Sequence, residues 1–286
     1  VSLAPPPAGP LAAELAVARE LALAAGEEIR RWAVSGVKVD DKGGQPVTQA
    51  DRASNELIVG ELGRRFPRDA ILAEETPVTD EGWRHAERCW VVDPLDGTSD
   101  FIKGRVGWCV MIGLLLRGQP ALGAVHVPQA GRTFLGLVGG GAVEERDARA
   151  EGCAERLPLR CSTRARAPEL RVIASIAHRD ARLETTLAAL TPAETLSVGS
   201  VGYKVGKICA DEADLYVATT SSISLWDTCA PQAILHAAGG RFLDLDGRPL
   251  DYAGPHLNHA RGLLATNGAC AQDVVARLAG RFAKLD

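Results

Sequence analysis

Several patterns that would settle the chemistry of this 286-residue chain at once are missing from it, and each absence excludes a class. Its seven cysteines (89, 109, 153, 161, 209, 229 and 270) are odd in number and form no Cys-x-x-Cys pair, so neither a disulfide framework nor a structural zinc site is indicated. Several lie in apolar stretches, where a free thiol packs as a small core residue, and a reducing cytoplasm is the expected setting. The six histidines lack ligand spacing. Positive charge is not in excess: 32 Lys and Arg against 36 Asp and Glu leave a net charge of −4, which provides no general attraction to a nucleic-acid polymer. Arginines 164, 166, 171, 179 and 182 form a local basic concentration, read as solvated surface with a secondary use in drawing in an anionic substrate. No apolar run is long enough to span a bilayer. Residues 110–116 are too few, and Glu14, Arg19 and Glu20 interrupt the helical stretch 11–32, which is neither a signal-peptide core nor a membrane span. The serine-hydrolase elbow Gly-x-Ser-x-Gly is absent. Residues 199–207 imitate a P-loop with the wrong glycine spacing, and Ile208 stands where Ser or Thr is needed. Asp244-Leu245-Asp246-Gly247 lacks the rest of a calcium loop and reads as a hairpin turn.

What is present centres on Asp93-Pro94-Leu95-Asp96-Gly97-Thr98. The apolar run Cys89-Trp90-Val91-Val92 predicts a buried strand, Pro94 keeps Asp93 extended, and Gly97-Thr98-Ser99 predicts the entry to a short helix. Two carboxylates with a free carbonyl between them suit a hard cation, and N–H groups at a helix start suit a phosphate. The alternative is a strand-to-turn connection whose aspartates only cap backbone N–H groups. Three further acidic segments repeat the theme: Glu74-Glu75 closing the short apolar run Ile71-Leu72-Ala73, Asp51 heading a helical stretch over 52–62, and Asp227 ahead of a helix over 229–238 that stops at Gly239-Gly240. Each of these taken alone is explained by ordinary capping. An aspartyl-phosphate mechanism is disfavoured, because its Asp-x-Asp pair lies near a first strand, whereas here the spacing is Asp-x-x-Asp deep in the chain.

The organisation of the chain is consistent with two parts behind a short lead. Residues 1–10 are proline-rich and expected to be flexible, residues 11–150 form an N-terminal α+β part, and residues 151–286 form a C-terminal α/β part. Residues 107–117, 121–128 and 132–138 predict an antiparallel meander, and the charged stretch 144–156 offers the boundary. Beyond it, strands over 171–177, 195–198 and 213–218 alternate with helices over 179–190 and 202–210.

With these pieces in order, the chain resembles the lithium-sensitive, magnesium-dependent phosphomonoesterase superfamily of inositol monophosphatases, bisphosphate nucleotidases and fructose-1,6-bisphosphatases. Glu74-Glu75, Asp93-Pro94-Leu95-Asp96-Gly97-Thr98 and Trp226-Asp227 occur in that superfamily's order and at comparable separations, and the likeness runs from about Leu11 to the C-terminus. The resemblance implies a layered α-β-α-β-α sandwich and two or three magnesium ions per site. Glu74, Asp93 and the Leu95 carbonyl would hold the first, and Asp93, Asp96 and Asp227 the second. Asp51 and Thr98, beside Glu74, would position the attacking water; Gly97, Thr98 and Ser99 would bind phosphate; Glu75 would stand behind the ligands. His178, Arg179, Ser200 and Lys204 are the expected contacts to the rest of the substrate. Five carboxylates in one pocket would take up protons unless cations neutralised them, which supports the metal assignment on physical grounds. Phosphoryl transfer needs mainly positioning and charge neutralisation, so direct in-line attack by water is expected, with no phosphoenzyme.

Within the superfamily the chain is most similar to the 3′(2′),5′-bisphosphate nucleotidases, which act on 3′-phosphoadenosine 5′-phosphate. Ser99-Asp100-Phe101-Ile102 after Gly97-Thr98, Trp226-Asp227-Thr228-Cys229-Ala230-Pro231 and Ala177-His178-Arg179-Asp180 carry that likeness. Thr220 adds to it, standing where inositol monophosphatases place a sugar-binding acid. Ala218 departs from it, standing where some nucleotidases carry an arginine. The alternatives are inositol monophosphatase, histidinol-phosphate phosphatase and fructose-1,6-bisphosphatase, and a non-catalytic phosphometabolite-binding protein stands further off. The expected partner is a small phosphorylated metabolite, with neither nucleic acid nor membrane; family members differ in oligomeric state, a homodimer among them. Lithium inhibition at the second-metal position is expected.

Overall fold

Helix α1 (Ala12–Ser35) precedes two short strands, β1 (Val39–Lys42) and β2 (Gln45–Thr48), that pair antiparallel. Then follow α2 (Gln49–Arg65), β3 (Ala70–Ala73), β4 (Arg88–Asp96), the short α3 (Thr98–Ile102), β5 (Cys109–Leu116), β6 (Gln119–Val127), β7 (Arg132–Leu137), β8 (Gly141–Arg146) and β9 (Glu155–Pro158). The second half comprises β10 (Arg171–Ser175), α4 (Ala181–Leu190), β11 (Glu194–Val198), α5 (Val201–Cys209), β12 (Leu215–Ala218), α6 (Leu225–Ala237), β13 (Arg241–Leu243), β14 (Leu263–Thr266) and α7 (Ala271–Leu278). The structure is a computed structural model that describes residues 3–35, 39–42, 45–149, 151–175 and 181–281. Among these, no helix is long and apolar enough to cross a membrane.

Strands β3 to β9 form one seven-stranded sheet in sequence order, antiparallel except for the parallel β3–β4 pair. The other sheet has the order β11-β10-β12-β14-β13, parallel across β11, β10 and β12 and antiparallel beyond. Alternate residues of β4 explain the layering. Trp90 and Val92 face α1 and α2, whose Leu15, Leu21, Ile29, Ile58 and Leu62 are buried with them. Cys89 and Val91 face the opposite way, into a core shared with Val205 and Ile208 of α5, Ile234 of α6 and Ile173 and Phe242 of the second sheet. The outer face of that second sheet buries Val172, Leu215 and Leu264 against Leu183 and Leu187 of α4 and Val274 of α7. Helices, sheet, helices, sheet and helices therefore stack in five layers, as the resemblance implies; period-2 strands buried on both faces require this.

One contact in the stack bears directly on the site. Gly113, Gly123 and Gly136 are register partners on β5, β6 and β7, and α6 lies across them. A Cβ on Gly123 would stand 2.1 Å from the Ala230 carbonyl oxygen, one on Gly136 would stand 2.5 Å from Ile234 Cα, and one on Gly113 would stand 2.8 Å from Ala230 N. The missing side chains form a trough that seats α6 against bare sheet backbone.

Two local outcomes differ from the sequence reading. The proline-rich lead, expected to be loose, is tied to the large sheet from Leu3 onward: Ala4 N–H donates to the Arg156 carbonyl of edge strand β9 at 2.8 Å and Ala8 N–H to the Gly140 carbonyl of the β7–β8 turn at 3.2 Å. Its prolines cost little entropy to order, and the edge has carbonyls to offer. Strand β4, expected to end before Asp93, runs on through Asp96, with its pairing to β5 shifted between Asp93 and Asp96, where Pro94 has no N–H to contribute. The charged stretch 144–156 contains the end of β8 and the start of β9, where Glu144 and Glu145 are buried on Arg132 and on Arg19 and Arg156. Residues 244–248 turn as expected, with Asp244 N–H donating to the Arg248 carbonyl and Gly247 at φ +82°.

Candidate active site

The irregular end of β4 brings Asp93 and Asp96 toward one cavity, and Asp93 Oδ1 accepts from the Leu95 N–H at 3.0 Å. Gly97 then takes a left-handed conformation (φ +92°, ψ 37°) that strains any other residue, and the space is tight as well, since a Cβ would stand 3.3 Å from Trp108 Cα. That turn starts α3 and sets the Thr98 hydroxyl to donate to Asp51 Oδ1 at 3.0 Å, with the Leu95 carbonyl 3.2 Å away. Asp51 is held from behind by a capping box: its Oδ2 accepts from Thr48 N–H at 2.7 Å and from Thr48 Oγ1 at 2.6 Å. Ser54 Oγ donates to the Pro94 carbonyl at 2.8 Å and pins α2 to the same loop.

Asp96 faces the start of α5, where its Oδ2 accepts from Gly202 N–H at 3.2 Å. That end of a helix favours a carboxylate. Ser200 is buried and caps α5, its Oγ accepting from Tyr203 N–H at 3.3 Å. Asp227 occupies the first turn of α6 and closes a second capping box, its Oδ2 accepting from Ser224 N–H at 2.6 Å. Glu74 follows β3, with its N–H donating to the Val92 carbonyl, and lines the same cavity.

The three aspartates 93, 96 and 227 each present a carboxylate oxygen within 4.8 Å of the others. Burial raises the pKa of all three. Asp93 is pushed well up by burial and then by Glu74, Asp96 and Asp227. Asp227 is pushed up to about 7 by burial and by Asp96. Asp96 is raised by burial against the opposing pull of Lys204, and Asp51 is raised by burial against its hydrogen bonds to Thr48 and Thr98. Lys204 is the only basic residue among the described residues lining the cavity. It is 2% exposed, its Nζ lies 4.6 Å from the Tyr216 ring centre, and burial lowers its pKa to about 8 although Asp96, Asp227 and Asp100 hold it up. One ammonium cannot neutralise this many carboxylates. The donor set is all oxygen, which fits a small divalent cation such as magnesium.

The cavity has a volume of about 400 Å³. Of the residues expected from sequence, Glu74, Asp93, Leu95, Asp96, Gly97, Thr98, Ser99, Lys204 and Asp227 line it, and Asp51 stands directly behind Thr98. Glu75 is half-buried, and its charge adds to the upward shift on Asp51. His178 and Arg179 lie outside the described residues. Sequence reasoning missed Thr48, Gly202, Tyr216 and Ser224. Two of them were findable, because Thr48-x-x-Asp51 and Ser224-x-x-Asp227 have the spacing of a capping box.

A sequence profile of the inositol monophosphatase family matches residues 11–280. The 3′(2′),5′-bisphosphate nucleotidase CysQ of Escherichia coli K12 is 36% identical over 207 residues, 72% of this chain and 79% of that protein. A histidinol-phosphatase of Streptomyces coelicolor is 32% identical over 258 residues, 88% of this chain and 91% of that protein. The solved structure of an inositol monophosphatase from Anabaena (Nostoc) sp. PCC 7120 superposes with a TM-score of 0.74 at 27% identity, covering 94% of this chain and 96% of that one.

Proposed function

The chain belongs to the inositol monophosphatase family and is a phosphomonoester hydrolase; from that premise we propose that it is a magnesium-dependent 3′(2′),5′-bisphosphate nucleotidase acting on 3′-phosphoadenosine 5′-phosphate. The observation that carries the catalytic part is the convergence of Asp93, Asp96 and Asp227 within 4.8 Å beside the Thr98–Asp51 hydrogen bond. The sequence tails after Thr98 and Asp227, together with 36% identity to CysQ, support the substrate.

Glu74, Asp93 and the Leu95 carbonyl would hold one magnesium, and Asp93, Asp96 and Asp227 another. Bound magnesium supplies charge neutralisation on the phosphoryl oxygens and a lowered pKa for water. The chain's own groups do the rest. Thr98 already donates its proton to Asp51, so its oxygen is left to accept from the attacking water. Asp51, with its pKa raised by burial, is suited to receive the proton passed along that pair. Gly97 and Thr98 line the cavity, and the N–H groups around them would orient the phosphate. Water attacks phosphorus in line as the bond to the ribose oxygen breaks; that oxygen takes a proton from solvent water, Asp51 returns the attacking water's proton to solvent, and inorganic phosphate is released. Thr219, Thr220 and Ser222 line the cavity with neutral hydroxyls, which suit the polar edge of a nucleoside better than an acid would.

Magnesium-dependent phosphate release from 3′-phosphoadenosine 5′-phosphate, inositol 1-phosphate and histidinol phosphate, measured side by side, tests the assignment. A kcat/KM at least about tenfold higher for the nucleotide is expected, a difference of about 1.4 kcal/mol in transition-state binding. Preference for histidinol phosphate is the second reading, favoured by the longer match to the Streptomyces enzyme. It would overturn the substrate while leaving the reaction class intact.

A further inference from the structure

Asp227 projects from the first turn of α6, and one of the ties between that turn and the rest of its helix is missing. Pro231 lies inside α6 and has no N–H to offer the Asp227 carbonyl, so the helical ladder is interrupted under the residue whose carboxylate must be aimed. The turn is held instead by a strap from the β13–β14 connection. Leu225 N–H donates to the Leu257 carbonyl at 2.8 Å, and His259 N–H donates to the Ile223 carbonyl at 2.8 Å. Ser224 and Asn258 form an isolated antiparallel bridge, with Ser224 Oγ donating to Asn258 Oδ1 at 3.1 Å.

Beneath the strap lies a buried polar network. Thr228 Oγ1, next to Asp227, is 2.8 Å from His259 Nε2 and accepts from the Tyr252 hydroxyl at 3.0 Å. The same Tyr252 hydroxyl is 2.9 Å from Gln232 Oε1. Thr228 and Gln232 flank Pro231 on one face of α6, so Tyr252 bridges the interruption that the proline creates. The Tyr252 and His259 rings pack edge to face at 5.7 Å, and burial lowers the imidazole pKa to about 4, so it is neutral at ordinary pH. Four polar side chains that are almost wholly buried and mutually bonded form a stiff unit, costly to disturb.

We propose that His259 and Tyr252 are positioning residues for Asp227, replacing through Thr228 and Gln232 the helical tie that Pro231 removes and thereby setting the magnesium affinity of the Asp93–Asp96–Asp227 cluster. The inference rests on the reading of that cluster as a metal site. Residues that orient metal ligands in this way typically change affinity by about 10–100-fold when removed.

Isothermal titration of magnesium into the substrate-free, full-length protein at a temperature where every variant is folded provides the test. His259→Ala is expected to weaken magnesium binding by about 10–100-fold and Tyr252→Phe by about tenfold. His259→Gln, which keeps a side-chain amide near Thr228, should recover most of the loss. Tyr252→Phe keeps its ring in the core and carries the test should His259→Ala fail to fold. Affinities within about twofold of wild type in the folded variants would overturn the proposal. So would a fall in melting temperature with the affinity unchanged, which would mark a purely structural role. A wild type that binds no magnesium would overturn the metal reading itself and this inference with it, an outcome distinguishable from failure of the variants alone.

Discussion

Replacing Gly123 by alanine tests the mechanical basis of the site with a single methyl group. The new Cβ would stand 2.1 Å from the Ala230 carbonyl oxygen and 2.8 Å from Ala230 Cα, both of them backbone atoms of α6. An ordinary contact begins near 3.4 Å, so the helix must lift by about 1.3 Å, the difference between those distances. No flexible side chain can yield in its place, and overpacking of this kind costs about 3 kcal/mol or somewhat more. At about 2–4 °C per kcal/mol, the melting temperature should fall by roughly 6–12 °C. Because α6 carries Asp227 in its first turn, the lift also spreads the three aspartates, and the magnesium concentration needed for half-maximal activity should rise. Gly60, exposed in the interior of α2 with nothing within 4 Å of a Cβ, is the control. The same change there removes a glycine from a helix and should raise the melting temperature by about 2–4 °C, equivalent to about 1 kcal/mol. Scanning calorimetry of both variants gives the answer. A Gly123→Ala protein that melts with the wild type would refute the claim that α6 rests on bare sheet backbone, and losses of equal size at both positions would refute the assignment of the effect to the trough.

Other expectations concern charge. Asp93→Asn should abolish turnover while the metal-free protein melts higher at about pH 8, because one of several mutually repelling buried carboxylates is gone; retained turnover would remove Asp93 from the mechanism. In chelator-treated protein, the Asp227 carboxyl has its pKa raised from 3.8 to about 7, so the folded state holds that proton more tightly than the unfolded chain. Its stabilising contribution is therefore present below about pH 4 and lost as the pH rises through about 7. The melting difference between wild type and Asp227→Asn should decline across that window and be restored by magnesium at the alkaline end; a flat difference would contradict the shift. Arg132→Met leaves Glu144, 2% exposed, with only the half-exposed Arg146 as an ion-pair partner among the described residues. Urea unfolding should show a loss of about 3 kcal/mol, reduced when Glu144→Leu is added, because an unpaired buried charge costs more than an apolar pair.

Much of this molecule was legible in its residues because the relevant signals are local. Short apolar runs marked β4 to β7, glycine and proline marked their ends, and the alternation after residue 170 marked the parallel strands β10 to β12 of the second sheet, whereas β13 and β14 were not read. The acidic segments announced themselves by type and spacing, since an oxygen-ligand site needs carboxylates wherever it is built. The five-layer order followed from the resemblance and from strands buried on both faces. The run of β4 through Pro94 was not legible, because the tolerance of that proline depends on where β5 stops pairing. Nor was the order in the lead, which depends on the carbonyls of Arg156 on the edge strand β9 and of Gly140 in the β7–β8 turn.

By itself, then, the sequence determined which residue types the site would use and which short elements would carry them. Capping, turn geometry and strand alternation act over a few residues and are written in the chain. The tertiary structure alone decided that Asp93, Asp96 and Asp227 converge within 4.8 Å, that three glycines on neighbouring strands seat the helix that makes this possible, and that Tyr252 and His259 brace its first turn. Those relations join residues more than a hundred positions apart in some cases, and only packing brings such distant groups together.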